Sequence, residues 1–91
     1  MHLIFAAAVA LQIHTGQELL SACTASDTAT CDAFIQQTLA ADKEASCMTS
    51  EKPAVLREAV VEALKQPGTP LKEHAAELVS AVFASECAGS D

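Results

Sequence analysis

Large aromatic side chains are nearly absent from this sequence. Its 91 residues include no tryptophan, no tyrosine and three phenylalanines, although 51% of the chain is hydrophobic. Aromatic residues usually supply the largest buried areas of a core, so this core must be built mainly from alanine, valine and leucine. A chain of this length also buries only about 60% of its unfolded surface. Both features predict a single small domain whose hydrophobic core alone is marginally stable.

Positive charge is scarce as well. Five basic residues face 12 acidic ones, which gives a formal net charge of −7. This balance repels phosphate backbones and anionic lipid surfaces. We therefore expect no nucleic-acid partner, and we expect the charge to favour encounter with a basic protein.

No hydrophobic run is long enough to span a bilayer, which requires about 20 residues. The apolar run at residues 3–11 has the length of a signal-peptide core, and residues 8–10 fit the small-x-small cleavage rule. We interpret residues 1–12 as the remnant of an export signal and residues 13–91 as a helical domain. The alternative is that the run forms an ordinary buried first helix.

Four cysteines, an even number, occur in this short chain: Cys23, Cys31, Cys47 and Cys87. None of them forms the closely spaced pair that a zinc site requires. The pattern favours two structural disulfides in an oxidising compartment and no metal site, with free or metal-binding thiols as the alternative.

Apolar residues with a period of 3.6 predict helices throughout and no strand. The first helix begins at a capping box, in which the side chains of Thr15 and Glu18 each accept a hydrogen bond from the other's backbone amide. It ends near Cys23. The second begins with Thr30 as its cap and ends around residues 44–46. Its apolar face carries Phe34, Ile35 and Leu39.

Two further helices follow. The third begins at Ser50 with Pro53 in its first turn, and the fourth begins with Thr69 as N-cap and Pro70 as the first helical residue. Gly89 ends the fourth helix. The fold class is therefore all-α, a small antiparallel bundle of about four helices with two disulfides. The apolar stripes of these two helices are Leu56, Ala59, Val60, Ala63 and Leu64, and Leu71, Ala75, Leu78, Val79, Val82 and Phe83.

The ends of these helices determine how the cysteines pair. Cys23 ends the first helix and Cys31 begins the second, whereas Cys47 follows the second and Cys87 follows the fourth. A helix of about 13 residues would separate Cys31 from Cys47 by roughly 20 Å, and a disulfide requires Cα atoms within about 7 Å. We therefore predict Cys23–Cys31 and Cys47–Cys87 bridges.

No residue pattern indicates catalysis. The histidines His2, His14 and His74 form no metal-binding or catalytic spacing, and we interpret His74 as a surface residue of the fourth helix. Charged residues such as Asp32 and Arg57 are expected to face water. We expect no catalytic residue and no cofactor.

Several short motifs follow one another in an order set by the four cysteines. They are Thr15 to Leu20 ending in Cys23, then Cys31 to Ile35, then Cys47, then Leu56 through Leu64 with Gln66-Pro67, and finally Ala75 to Val79 running to Cys87. This arrangement resembles the Tai/Rap family of type VI secretion immunity proteins. The resemblance implies a periplasmic, often dimeric helical protein that inhibits a peptidoglycan amidase effector.

The contact residues of such an inhibitor do not follow from the resemblance. We select Gln66, Pro67, Gly68 and Thr69 as the candidate effector-binding loop because a Pro-Gly turn is rigid and can protrude. The alternative is that this loop is a plain helix connection. Met48 is either a core residue or an exposed contact.

Two other functions fit the same features. One is a small periplasmic chaperone or stress protein of the acid-resistance type, which would dissociate from a dimer at low pH. The other is a member of the immunity family that has lost its effector and serves a different envelope role.

The predicted bridges should carry much of the stability. In the chain-entropy model they contribute roughly 2.6 and 3.9 kcal/mol, a large share for so small a domain. We expect complete reduction of both to unfold the protein at moderate temperature, as monitored by circular dichroism during a thermal ramp. An unchanged melting curve with both bridges shown to be reduced would contradict this expectation.

Overall fold

The computed structural model describes residues 13–89, and the signal-remnant prediction for residues 1–12 lies outside the described residues. In the described range the chain forms helices and no strand, which confirms the all-α prediction. None of these helices is both long enough and apolar enough to cross a membrane. The elements are α1 (Gly16–Cys23), α2 (Ala29–Ala41), a 3-10 helix (Lys43–Met48), α3 (Pro53–Leu64) and α4 (Ala75–Gly89).

The four α-helices surround one hydrophobic core, and each contacts the other three. Phe83 of α4 is completely buried and is the largest side chain in the core. The predicted stripe of α3 is confirmed, because every fourth residue along it is inaccessible to solvent. The buried hydrophobic residues are Ile13, Leu19, Cys23, Cys31, Ile35, Leu39, Leu56, Val60, Leu64, Ala75, Val79 and Phe83.

Both predicted disulfides are present. The Cα atoms are 4.9 Å apart in Cys23–Cys31 and 5.7 Å apart in Cys47–Cys87. The first bridge joins the end of α1 to the start of α2, and the second joins the 3-10 helix to the last turns of α4. The pairing derived from the helix ends is therefore confirmed.

The predicted capping box at the start of α1 is confirmed. The Thr15 hydroxyl accepts a hydrogen bond from the Glu18 amide at 3.2 Å. The Glu18 carboxylate accepts hydrogen bonds from the amides of His14 at 2.8 Å and Thr15 at 3.0 Å. These two backbone hydrogen bonds, that of His14 first, hold the pKa of Glu18 below its ordinary value because they stabilise the charged form.

Backbone hydrogen bonds also join the start of α1 to the segment that precedes α4. The amides of Gly16 and Gln17 donate to the carbonyls of Glu73 and Leu71, both at 3.0 Å. In the opposite direction, the Ala75 amide donates to the His14 carbonyl at 2.8 Å. The first amides of a helix have no acceptor within that helix. The carbonyls of Glu73 and Leu71 therefore accept hydrogen bonds that no carbonyl of α1 could accept.

The predicted start of α4 at Thr69 and Pro70 is wrong. The helix begins at Ala75, so Leu71 lies in the connection and His74 immediately precedes the helix. The physical reason is the pairing with α1: residues 71–74 form a turn and an antiparallel bridge between His74 and Thr15, and this backbone conformation is not helical.

The predicted boundaries of α2 also need correction. Thr30 is its second residue rather than its cap, and Thr28 is at the N-cap position without a side-chain capping bond. The Asp27 carboxylate instead accepts from the Ala29 amide at 3.0 Å, which is the local bonding that aspartate favours before a helix. The helix ends at Ala41, earlier than predicted.

The segment after α2 is more ordered than a loop. Cys47 and Met48, which come after the predicted second helix, belong to the 3-10 helix. The third helix has Lys52 rather than Ser50 at its N-cap, whereas Pro53 in the first turn is confirmed. Proline is suited to this position because its missing amide would have no helical partner.

An ion pair links α2 to α3. Nη1 of Arg57 lies 2.8 Å from each carboxylate oxygen of Asp32, and both side chains are about one quarter exposed. Both side chains remain partly exposed to water, and they also face each other across the two helices. An ion pair with this exposure adds at most about 1 kcal/mol, so its main effect is to fix how the two helices sit together.

Close packing at Gly16 generates a stability prediction. A Cβ at this position would lie 2.5 Å from Cδ1 of Leu78 and 3.3 Å from the Leu71 backbone. We expect Gly16→Ala to lower the free energy of unfolding by about 1–3 kcal/mol in urea titrations, because the backbone of the connection cannot yield freely. Ser21→Ala, an exposed change in the same helix, should stay within about 0.5 kcal/mol of the parent, and an equal effect of both would contradict this account.

The lowered pKa of Glu18 predicts a pH dependence. Its contribution to stability is fully present above the unfolded-state pKa of about 4.3 and is lost as the pH falls through the lower folded-state pKa. We expect Glu18→Gln, which removes the charge, to be less stable than the parent in urea titrations at pH 7 and to approach it at pH 3. Glu58→Gln removes an exposed charge from α3 and serves as the control. A stability difference for Glu18→Gln that does not change with pH would contradict the prediction.

Candidate protein-binding surface

The predicted binding loop is a tight turn at the end of α3. The Thr69 amide donates to the Gln66 carbonyl at 3.2 Å, and Gly68 has a φ of 89°. Proline second and a positive-φ glycine third are typical of a type II turn. No atom lies within 4 Å of the place where a Gly68 Cβ would be. The tip of the turn is therefore open to a partner.

Hydrogen bonds to one carbonyl anchor this turn to α3. The Ala63 carbonyl accepts from the Gln66 amide at 3.2 Å and from the Thr69 hydroxyl at 2.8 Å. Gln66, Pro67 and Gly68 are exposed, whereas Thr69 is half-buried. Of the four candidate residues, the first three can meet a partner and Thr69 instead fixes the turn.

A surface groove lies beside the turn, between α3 and α4. Its volume is about 410 Å³, and Gln66 belongs both to the groove and to the turn. We call the groove and the exposed residues of the turn together the α3–α4 surface. The groove is lined by Ala59, Glu62, Ala63, Gln66, Val82, Ser85 and Glu86.

Small and apolar side chains at the groove contrast with two exposed carboxylates. Glu62 comes from α3 and Glu86 from α4, and neither forms an ion pair or side-chain hydrogen bond with another described residue. Because unpaired surface carboxylates attract cations, this surface suits a partner segment that carries lysine or arginine next to an apolar side chain.

A second groove, of about 330 Å³, lies where the end of α1 meets α3. Its lining mixes Arg57 and Lys65 with Glu58 and Glu62. Opposite charges side by side largely cancel at a distance, so this groove gives less electrostatic preference for a charged partner than the α3–α4 surface.

Met48, for which sequence left two alternatives, is half-buried and packs against the core. The one large hydrophobic residue recorded as exposed in the described range is Val55, at 45%, near the start of α3. A single exposed valine is normal on a protein surface and does not indicate a binding patch.

The described histidines lie on the surface. His14 and His74 are both exposed, and each contributes its backbone to the pairing between α1 and the connection before α4. Among residues 13–89, no group of three or more histidine, cysteine or acidic residues could hold a metal ion.

No protein-family model matches the chain, and comparisons with curated proteins and with solved structures give no match either. The resemblance to the Tai/Rap family therefore rests on the order of its motifs and cysteines.

Proposed function

We propose that this chain is an immunity protein of the Tai/Rap kind, which binds a type VI secretion peptidoglycan amidase in the periplasm and inhibits it. The observation that carries the proposal is a rigid, exposed Pro-Gly turn beside an acidic groove on a disulfide-linked helical body. An inhibitor needs such a pre-formed surface because ordering a flexible one on binding would cost affinity.

The cellular compartment that the disulfides indicate agrees with this proposal. The two disulfides indicate an oxidising, exported environment, since cytosolic thiols are normally kept reduced. The periplasm is the oxidising compartment in which a peptidoglycan amidase would meet its inhibitor.

The negative charge of the chain favours a partner enzyme with a positively charged surface. With a net charge of −7 and unpaired carboxylates at Glu62 and Glu86, the chain would attract a basic rim around an enzyme's cleft. The turn formed by Pro67 and Gly68 would then enter or cover the cleft. Electrostatic attraction of this kind raises the association rate and weakens as salt is added.

The direct test uses a purified type VI peptidoglycan amidase, and any such enzyme encoded beside this chain's gene is the first to try. We expect the purified chain to inhibit peptidoglycan cleavage by that enzyme at equimolar concentration. Glu62→Lys and Gln66→Lys should each weaken inhibition about tenfold or more, equivalent to about 1.4 kcal/mol of binding free energy. The parent and Glu62→Lys should also differ in how steeply association slows with salt.

Glu51→Lys is the matched control for Glu62→Lys. It makes the same change in net charge at an exposed position before α3, at the end of that helix far from the turn. Unchanged inhibition by this variant, together with weaker inhibition by Gln66→Lys, would assign the effect to the α3–α4 surface, because Glu62 also lines the second groove whereas Gln66 does not. Absence of binding to the amidase at micromolar concentration would contradict the proposed function.

Size-exclusion chromatography at neutral pH and near pH 3 separates this function from the acid-chaperone alternative. An immunity protein should keep its oligomeric state between these conditions as long as it remains folded. A dimer that dissociates at low pH into a monomer that suppresses client aggregation would instead favour the chaperone.

A further inference from the structure

The two disulfides differ sharply in their exposure. Cys31 is completely inaccessible and Cys23 is 5% exposed, so their bridge is part of the hydrophobic core. Cys47 is exposed and Cys87 is half-buried. One bridge is therefore shielded by the fold, whereas the other lies at the protein surface.

This difference determines which bridge a thiol can reach. Thiol–disulfide exchange requires a thiolate to approach one sulfur of the bridge. At Cys47–Cys87 this approach is possible in the native protein. At Cys23–Cys31 it requires at least the end of α1 or the start of α2 to open, because Cys31 is inaccessible and Cys23 is 5% exposed at the edge of the second groove.

The exposed bridge attaches a short segment that also packs against α4 and α2. The 3-10 helix packs most extensively against α4. The backbone hydrogen bonds that follow it are local, from Thr49 to Ser46 and from Glu51 to Met48. The Cys47–Cys87 bridge is the covalent link between this segment and the body of the protein, and the half-buried Met48 side chain packs against the core.

We propose that Cys47–Cys87 is a native-state site of thiol–disulfide exchange with dithiol reductants, and that its opening loosens the 3-10 helix while the four-helix core stays folded. A thiolate of the dithiol attacks Sγ of Cys47, a mixed disulfide forms, and Cys87 leaves as a thiolate that takes up a proton. The second thiol of the reductant then attacks the mixed disulfide and releases Cys47 as a thiol. The reductant ends as a disulfide, so two electrons and two protons pass to the protein.

This site is independent of the proposed immunity function, since it involves neither the turn nor the groove. It would act as a redox-sensitive link, which is intact in an oxidising environment and is reduced by a dithiol. The segment that it releases includes Lys43–Met48.

Reduction kinetics of the unmodified chain provide the test. The protein is treated with dithiothreitol in the absence of denaturant, free thiols are alkylated at intervals, and each cysteine is followed by peptide mass spectrometry. We expect Cys47 and Cys87 to become alkylated about tenfold faster, or more, than Cys23 and Cys31. At the time when only the surface bridge is open, the helical circular dichroism should remain close to that of the oxidised protein.

Hydrogen exchange measured on the same samples tests the structural consequence. Amides of residues 43–48 should exchange faster once the surface bridge is open, whereas amides of α2 and α3 should keep their protection. The double variant Cys47→Ser with Cys87→Ser should reproduce this exchange pattern without reductant. Equal reduction rates for the two bridges, or opening of Cys47–Cys87 only together with global loss of helix, would overturn the proposal.

Discussion

The Cys23–Cys31 bridge crosses from the end of α1 to the start of α2 inside the hydrophobic core. In the described part of the chain, Phe83 is the one fully buried aromatic side chain, and the other core residues are smaller. Such a core gains less from burial than one built with tryptophan or tyrosine. A covalent link at its centre compensates, because it limits the conformations open to the unfolded chain. The other two helices, α3 and α4, each pack against both of the helices that this bridge joins.

Features set by neighbouring residues could be predicted from the sequence. The capping box of Thr15 and Glu18 depends on a three-residue spacing, and the stripe of α3 depends on a four-residue one. The disulfide pairing required only the order of the helices and the length of α2. Local rules suffice in such cases because no distant part of the chain competes for the same groups.

Non-covalent contacts between distant residues could not be predicted. Thr69 and Pro70 form a typical helix start, yet α4 begins at Ala75 because α1 uses the carbonyls that precede it. The ion pair between Asp32 and Arg57 likewise joins two helices that have no shared sequence pattern. At the candidate site, the Pro-Gly turn was foreseen from its residues. The groove was not, because it exists only where α3 packs against α4.

The contact between Thr15 and His74 imposes an order on the assembly of the protein. Chain synthesis produces α1 first, but the carbonyls that complete its N-terminal hydrogen bonds follow only with residues 71–74. The short loop between Cys23 and Cys31 can close as soon as both cysteines have been synthesised, whereas the Cys47–Cys87 bridge requires α4. Where disulfides form before the chain is complete, α1 is therefore joined to α2 by a covalent bond before its contacts with α4 can form.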